Sequence, residues 1–236
     1  MNKSSNNNCV LVIAAHPDDE VLGCGGSIAK WSKDGHEVHL LIMAEGVTSR
    51  DKHRNRESRK QELSNLGQSV KRAADILGVK SVELLDYPDN RMDSVDLLDV
   101  VKTIEDYIEK LQPEVVVTHH SGDLNIDHQI IHQAAMAACR PHPGHPVKRI
   151  LSFEVPSATE WQSPTVHHSF VPNWFEDISD TLELKIKALG TYETEMRDWP
   201  HARSTKAVDH LAKWRGASVG AEAAEAFMLV RNITKQ

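Results

Sequence analysis

The sequence CVLVIAAHPDDE, residues 9–20, joins a short apolar run directly to a histidine and three carboxylates. The β-branched and aliphatic residues of the run predict a buried strand. His16 follows it, and Asp18, Asp19 and Glu20 stand side by side, where like charges repel one another. Such a cluster is unfavourable unless a positive charge compensates it, so the stretch indicates a bound cation just past the end of a strand.

Short apolar runs and helical patterns alternate through the first two-thirds of the chain. Runs typical of buried strands lie at 9–15, 38–44, 82–85 and 115–119, and helical patterns lie at roughly 26–33, 54–77, 95–111 and 127–139. Gly78 and Pro113 follow the second and third helices, and Ser94 is a candidate cap of the third. Single helices between short apolar strands predict an α/β fold with a mostly parallel sheet and helices on both faces.

The pattern changes after Arg140. A further strand is predicted at 149–155, helices at about 182–189 and 206–214, and an apolar run follows at 227–230. No internal repeat or low-complexity linker divides the sequence. We therefore predict one domain, residues 9–236, with an elaborated C-terminal third, preceded by a polar, disordered tail at residues 1–8.

Composition excludes several classes of protein. The net charge of −7 argues against a nucleic-acid binder, which needs a basic surface. No apolar run approaches the ~18 residues of a membrane span, and the first apolar stretch is too short for a signal peptide. The three cysteines are odd in number and lack CxxC spacing, so a disulfide framework is not expected. A reducing, cytoplasmic location fits best.

Two polar loops follow strands that we expect to be neighbours. HPDDE comes after the first strand, and HHSGDLNIDH, residues 119–128, comes after the fourth. In open parallel sheets, ligands bind at the carboxyl ends of the strands, near the reversal of strand order. The two loops therefore predict a site by topology alone.

The side chains of the two loops suit a metal. His16, Asp19 and His128 offer two imidazoles and one carboxylate, a frequent set in catalytic zinc sites that leaves a position open for water. The same set suits non-haem Fe²⁺, so both metals stay open. A divalent cation activates water near neutral pH. Asp18 is then free to act as general base, and Glu20 is expected to orient His16 or the loop backbone.

Two other motifs favour a structural role. Gly23-Cys24-Gly25-Gly26 resembles a dinucleotide loop, but Ile28 stands where GxGxxG needs glycine, so close packing at a helix start is preferred. His128 and His132 have the spacing of a zincin helix, but Gln129 cannot replace the glutamate base of that motif. His132 is therefore expected on a helix face or in the core.

AHPDDE after the first strand and an Asp-His pair after the fourth resemble the PIG-L/LmbE-like family of zinc-dependent N-deacetylases. ILGV (76–79), PDNRMD (88–93), GDLNIDH (122–128), HARS (201–204), RG (215–216) and AEAF (224–227) extend the likeness over nearly the whole chain. The resemblance implies a Rossmann-like fold and removal of an acetyl group from an N-acetylglucosamine-type compound. It also implies His16, Asp19 and His128 as metal ligands, Asp18 as general base and Asp89 as a contact to substrate hydroxyls.

The second loop departs from the family pattern. Many members read His-Pro-Asp-His, whereas this chain reads Asn125-Ile126-Asp127-His128. The amide of Asn125 can donate a hydrogen bond to an oxyanion but cannot deliver a proton. Asp127 is counted with the catalytic candidates and as the N-cap of the following helix.

Two roles are left with several candidates. Protonation of the leaving amine falls to Asp18 alone, or to His120 or His201. Arg50, Arg54 and Arg91 are alternatives for the substrate-binding arginine of the family.

The sequence thus predicts a metal-dependent amidohydrolase acting on a small-molecule N-acetylated sugar conjugate, with zinc or another divalent ion such as Fe²⁺ as cofactor. Asp18, Asn125 and Asp127 are the catalytic candidates, and Asp89, Arg50, Arg91 and His201 the substrate-binding ones. A hydrolase of another amide or ester, or a non-catalytic metal- or sugar-binding protein, are the alternatives. A homo-oligomer is compatible with the sequence. A nucleotide-binding redox protein lacks its glycine fingerprint.

Overall fold

The computed structural model describes residues 8–234. Its strands are β1 (Cys9–Ala14), β2 (Glu37–Ala44), β3 (Ser81–Tyr87), β4 (Val115–His119), β5 (Arg149–Phe153), β6 (Trp174–Asp177) and β7 (Ala224–Asn232). Its helices are α1 (Asp19–Lys33), α2 (Lys60–Leu77), α3 (Leu97–Leu111), α4 (Ile126–Ala138), α5 (Leu182–Leu189) and α6 (Thr205–Ala217). All five strands and both late helices that the sequence predicts up to residue 214 are present, and the apolar run at 227–230 lies within β7.

The seven strands form one sheet in the order β3-β2-β1-β4-β5-β7-β6. The first five strands of the chain pair in parallel, whereas β7 is antiparallel to both of its neighbours. Successive strands run outward from β1 in one direction as far as β3, and β4 then returns to the other side of β1. This reversal brings the loops after β1 and β4 together, as the sequence predicts.

Helices cover both faces of the sheet because the side chains of a strand alternate between its faces. In β1, Val10 and Val12 belong to the core under α1 and α2. Leu11 and Ile13 belong to the core under α3 and α4. A strand buried on both sides reads as a continuous apolar run, which is why residues 9–15 carry so clear a signal. The Rossmann-like α/β prediction is confirmed.

Helix α1 begins seven residues earlier than the sequence predicts, at Asp19 instead of Gly26. Its backbone leaves helical angles at Cys24, with φ −146°, so two helical pieces meet there. The glycines allow close packing: a Cβ on Gly23 would lie 2.3 Å from the Phe153 ring, and one on Gly26 would lie 2.6 Å from Ile178. The structural interpretation of this glycine cluster is confirmed.

Two other helix starts differ from the prediction. Helix α2 begins at Lys60 and not at 54, because Arg54 is held outside it by a bidentate pair with Glu45 at 2.8 and 2.9 Å. Ser94 does not cap α3; it lies in a 3₁₀ turn, and α3 starts after Asp96. Such turns satisfy backbone groups locally and delay the helix.

The C-terminal third adds the last two strands to the sheet and is hydrogen-bonded to α1. No strand was predicted at 174–177, where β6 forms the edge beside β7. On β7, the buried carboxylate of Glu225 accepts hydrogen bonds from the backbone N–H groups of Gly26 and Ser27 at 2.9 and 2.6 Å. Lys185 of α5 donates to the same carboxylate at 2.5 Å. Glu225 thereby accepts hydrogen bonds from the first N–H groups of the second piece of α1, which have no partner within the helix.

The predicted disordered tail, residues 1–8, lies outside the described residues except for Asn8, whose carbonyl accepts a hydrogen bond from the Glu37 amide. All three cysteines are buried and free, which confirms that no disulfide framework exists. Within residues 8–234, no helix combines the length and apolarity needed to cross a bilayer.

Candidate active site

Three side chains from the two loops converge at the carboxyl edge of the sheet. Asp19 opens α1, and its Oδ2 lies 3.2 Å from His16 Nδ1 and 3.0 Å from His128 Nε2. The His16 N–H of the backbone also donates to this oxygen, at 2.9 Å. The three side-chain atoms lie within 4.8 Å of one another, close enough to share one ion. These are the three residues that the sequence predicts as metal ligands.

Asp127 lies behind His16 and fixes the orientation of its ring. Its Oδ2 lies 2.9 Å from His16 Nε2, and its carboxylate also accepts the backbone N–H groups of Asn90 and Met92 at 2.7 and 2.9 Å. The prediction that Asp127 caps α4 is wrong: the cap is Asn125, whose side chain accepts the Asp127 amide at 2.9 Å. Asp127 falls in the first turn, which frees its carboxylate to turn Nδ1 of His16 toward Asp19.

A second carboxylate stands behind His128. Asp123 Oδ1 lies 3.1 Å from His128 Nδ1, and Thr159 donates to the other carboxylate oxygen at 2.6 Å. His119, at the end of β4, stacks on His128 with ring centroids 3.8 Å apart and accepts the Ala15 amide at 2.8 Å. Asp123 and His119 were not predicted as site residues. Asp123 is the carboxylate of the GDLNIDH loop that a metal-binding histidine needs on its far nitrogen.

The buried charges shift one another's pKa. Burial would lower the pKa of His128, but the carboxylates of Asp19 and Asp123 raise it to about 9. Burial would raise the pKa of Asp19, but His128 and His16 hold it well below its usual range. Burial would also lower the pKa of His16, yet its hydrogen bonds to Asp127 and Asp19 raise it. The centre is therefore the ionised carboxylate of Asp19, which favours the protonated form of His16 on one side and of His128 on the other.

Asp18 has one carboxylate oxygen held and one free. Its Oδ2 accepts a hydrogen bond from Arg203 Nη1 at 2.9 Å, whereas its buried Oδ1 has no partner among the described residues. Arg203 is in turn anchored by Nε to Ser157 at 2.6 Å. Burial raises the pKa of Asp18, and the guanidinium opposes that shift. Arg203 was not singled out from the sequence; its only signal was its place in the HARS pattern.

Glu20 supports the loop, as one of its two predicted roles requires. Its carboxylate accepts the Asp18 backbone N–H at 3.1 Å and the Tyr192 hydroxyl at 2.5 Å. Asp18 needs this support because its φ of 111° is rare for a residue with a side chain. Burial raises the pKa of Glu20 to about 7.

A polar cavity of about 100 Å³ opens beside Asp18. Asn125, Asp89, Arg50 and Arg203 contribute to its wall together with His16. Asn125 donates from Nδ2 to Asn90 at 2.7 Å, which uses one of its two amide protons. Asp89 accepts the Ser49 amide at 3.0 Å. Three of the predicted catalytic and substrate-binding residues thus share one cavity with Asp18.

Other predicted residues lie outside this cavity. Arg91 donates to the carbonyls of Asp51 and Lys52, at 3.0 and 3.1 Å. His201 accepts the Arg203 amide at 3.0 Å through Nδ1 and packs against Trp161. Both side chains are occupied by contacts to the protein and do not line the cavity wall.

Two further alternatives are occupied elsewhere as well. The guanidinium of Arg54 is paired with Glu45, as described above. The ring of His120 lies 3.0 Å from the His168 carbonyl. Of the three arginines named from the sequence, Arg50 is the one at the cavity.

Several nitrogen and oxygen atoms of the site have no hydrogen-bond partner in the described part of the chain, which suits them to coordinate a cation. Neither nitrogen of His128 has a hydrogen bond of good geometry, despite the short distances to Asp19 and Asp123, and Asp19 Oδ1 has no partner among residues 8–234. Buried polar atoms normally have partners. His16, Asp89 and Asp127 form a second close group, but Asp127 is already satisfied by two backbone N–H groups. The set His16, Asp19 and His128 therefore fits a divalent ion better.

The fold and the site define a Rossmann-like α/β protein with a histidine–carboxylate centre at its topological switch point. The family model described as PIG-L, GlcNAc-PI de-N-acetylase, matches residues 11–139. That span runs from within β1 to the end of α4 and carries every residue of the centre. The chain belongs to this family of deacetylases.

Named relatives extend the likeness beyond the matched span. An uncharacterized deacetylase of Escherichia coli K12, YaiS, is 32% identical over 193 residues, covering 78% of this chain and 90% of the relative. The diacetylchitobiose deacetylase of Thermococcus kodakarensis is 27% identical over 208 residues, covering 79% and 69%. The solved N,N′-diacetylchitobiose deacetylase of Pyrococcus horikoshii superimposes with a TM-score of 0.76 at 23% identity, covering 96% and 85%. The last comparison concerns the fold.

Proposed function

We propose that this protein is a metal-dependent hydrolase that removes the acetyl group from an N-acetylated amino sugar of the N-acetylglucosamine type, releasing acetate and a free amine. The observation that carries the proposal is Asp18 Oδ1, a buried carboxylate oxygen without a hydrogen-bond partner in the described chain, beside three converging ligand atoms. Relatives named for deacetylation of such sugars support the substrate class.

His16, Asp19 and His128 would hold the metal, for which we propose zinc, with Fe²⁺ as the alternative. When bound, a divalent ion there supplies Lewis acidity, which polarises the acetamide carbonyl and makes water more acidic. Asp127 and Asp123 orient the two imidazoles from behind. Metal binding requires neutral imidazoles, so the proton that Asp19 and Asp123 favour on His128 must leave when the ion enters.

Asp18 and Asn125 would carry out the proton transfer and the stabilisation of charge. Asp18 Oδ1 accepts the proton of the attacking water while Arg203 holds Oδ2. The water oxygen bonds to the acetamide carbon, and the second amide proton of Asn125 is available to the carbonyl oxygen as negative charge develops there. The C–N bond then breaks, and Asp18 returns its proton to the leaving nitrogen. His120 and His201 are occupied elsewhere, so Asp18 is the proposed proton donor.

Asp89 and Arg50 are the proposed contacts to substrate hydroxyls, because both line the cavity. The three free, buried cysteines support the proposal of a cytoplasmic enzyme. We propose that residues 9–236 act as one domain, since β6 and β7 complete the same sheet that carries the site.

A non-catalytic metal- or sugar-binding protein on the same scaffold is less well supported. Such a protein has no use for a buried carboxylate with a free oxygen beside a full set of ligands. Leaving Asp18 Oδ1 unpaired costs stability in the resting protein, and that cost is understandable if the oxygen acts on a proton during turnover.

Acetate release is the test. Zinc-loaded protein is incubated with N-acetylglucosamine, its disaccharide and its conjugates, and acetate and free amine are both quantified. We expect equal amounts of the two products, no activity after chelation, and recovery when zinc or Fe²⁺ is added back. Undiminished activity of rigorously metal-free protein, or no amine from any N-acetylated sugar, would overturn the proposal.

A further inference from the structure

A second cavity of about 270 Å³ lies directly beside the candidate active site. It is formed by α2 on one side and by the segment that follows α5 on the other. Val47 and Leu66 contribute to the walls of both cavities, so the two spaces are neighbours. Leu66 is buried in this shared wall and packs closely on Gly46, where a Cβ would lie only 2.8 Å from its Cδ2.

The size of the first cavity requires such an extension. Its volume of about 100 Å³ is well below the range of about 300–1,000 Å³ found for small-molecule sites. A cavity below that range accommodates only part of a sugar conjugate. The group attached to the sugar must then lie outside the first cavity, and the second cavity is the space next to it.

One ion-pair cluster borders both cavities. The Arg50 guanidinium, in the wall of the first, pairs with Glu195 at 2.6 Å and approaches Glu62, in the wall of the second, at 3.6 Å. Glu62 is held from the other side by Arg59 at 2.7 Å. These fixed charged groups therefore lie at the boundary between the two cavities.

The second cavity presents amides and hydroxyls on one helix face. Asn65 and Gln68 are exposed on α2, and Ser69 lies one turn beyond Asn65. Asn65 accepts from Gln61 at 2.9 Å through Oδ1 and keeps its Nδ2 donors available. Gln68 has no hydrogen bond to any described residue. Amide groups with spare donors and acceptors suit hydroxyl groups of a ligand.

Charge argues against a phosphate in this cavity. Arg72 is its one cation among the described lining residues, and its Nη2 donates to Ser69 at 2.9 Å. Glu62 and Glu193 line the same space. Although Glu62 is also paired with Arg59 and Arg50, the lining has no excess of positive charge for a dianionic ligand, whereas phosphate sites gather arginines and lysines.

We infer that this second cavity is a subsite for an uncharged, hydroxyl-bearing group, such as a second sugar ring, joined to the sugar that carries the acetamide. The inference rests on the proposed function for the position of the acetamide. It makes Asn65 and Gln68 determinants of specificity and disfavours nucleoside-diphosphate sugars and phospholipid conjugates as substrates.

The test compares binding and turnover of three probes: N-acetylglucosamine, N,N′-diacetylchitobiose and UDP-N-acetylglucosamine. Dissociation constants are measured by calorimetry on the Asp18→Asn protein, and kcat/KM on the active enzyme. We expect the disaccharide to be preferred over both other probes. The double variant Asn65→Ala/Gln68→Ala should lower the disaccharide-to-monosaccharide preference about tenfold, the effect of losing two ordinary hydrogen bonds. Lys71→Ala, exposed on the same helix outside the cavity, should leave the preference unchanged.

The two proposals fail in different ways. An unchanged disaccharide preference in the double variant, or a preference for the nucleotide sugar, overturns the subsite. Binding that discriminates as expected without release of acetate from any probe upholds the subsite and overturns the deacetylase proposal. Both variants change exposed helix positions, and their urea unfolding curves establish that the fold is intact.

Discussion

Asp18 and Arg203 form an ion pair between the HPDDE loop and a segment that is distant in the sequence. The backbone of Asp18 adopts a left-handed conformation; the Glu20 carboxylate accepts its N–H, and Arg203 donates to one of its carboxylate oxygens. A residue kept in such a conformation is typical of functional sites. The remaining oxygen is the one that we assign to proton transfer.

Asp18→Asn should therefore separate metal binding from chemistry. The amide cannot accept the proton of water, and general-base contributions run to about 10²–10⁴-fold in rate. We expect kcat to fall by that amount while the bound zinc, measured by atomic absorption, stays near one ion per chain. Full activity in this variant would place the base elsewhere, with Glu20 as the next residue to test.

Arg203→Ala should lower kcat more than it changes KM, because the guanidinium holds Asp18 and not the ligand. A hydrogen bond to a charged group contributes enough for a loss of roughly ten- to a hundredfold. Guanidinium ion added to the assay should restore part of the rate, and Lys213→Ala should behave as wild type. A loss that appears wholly in KM, without rescue, would instead make Arg203 a substrate-binding residue.

Helix α1 approaches strand β5 closely because Gly23 has no side chain. This contact holds the HPDDE loop close to the sheet. Gly23 lies against the Phe153 ring at a distance that leaves no room for a methyl group. The break of α1 at Cys24 then allows its second piece to aim at Glu225. The position of the site thus depends on packing between elements far apart in the sequence.

Gly23→Ala should destabilise the fold, since its Cβ would overlap the ring. Overpacking of a core costs about 1–3 kcal/mol. Gly67→Ala is the matched control on α2: its Cβ would meet only Leu84, at 3.9 Å, and alanine should add about 0.5–1 kcal/mol through higher helix propensity. Urea unfolding of both variants measures the difference; equal stabilities would show that the α1–β5 contact relaxes without cost.

In the molecule as a whole, β1, β2, β4 and β5 were readable from sequence because nearly all of their residues are buried. Strand β3, at the sheet edge, has no buried residue and was recognised from the short run VELL at 82–85. Each of the first five holds a short aliphatic run, and the single helices between them predicted parallel pairing. The two site loops were predictable for the same reason. β6 was missed because Trp174–Asp177 forms a half-exposed edge without an apolar run.

The parts of the site that escaped prediction depend on long-range contacts. Arg203 reaches Asp18 across 185 positions of sequence, and no local pattern marks that pairing. The N-cap of α4 was placed two residues too late because both Asn125 and Asp127 are good caps. The backbone N–H groups of Asn90 and Met92, in another loop, donate to the Asp127 carboxylate, and Asn125 caps the helix instead.

The buried cysteines give a test of the whole fold. Burial raises the pKa of Cys9 to about 11 and that of Cys139 to about 12, and that of Cys24 lies well above its usual value. Since the thiolate is the reactive form, native protein at pH 8 should react with none of its thiols in an Ellman titration. All three should react after unfolding. Rapid reaction of one thiol in native protein would show that its surroundings open.

Metal content of His128→Ala and His132→Ala, measured side by side with acetate release, tests the metal-dependent site most directly. His128 faces Asp19, whereas His132 lies one turn further along α4 with its Nδ1 2.8 Å from the His119 carbonyl. We expect His128→Ala to lose most of its bound zinc and nearly all activity, and His132→Ala to keep its zinc with at most a modest loss of rate or stability. Zinc retained in the first variant and lost in the second would contradict the site described above.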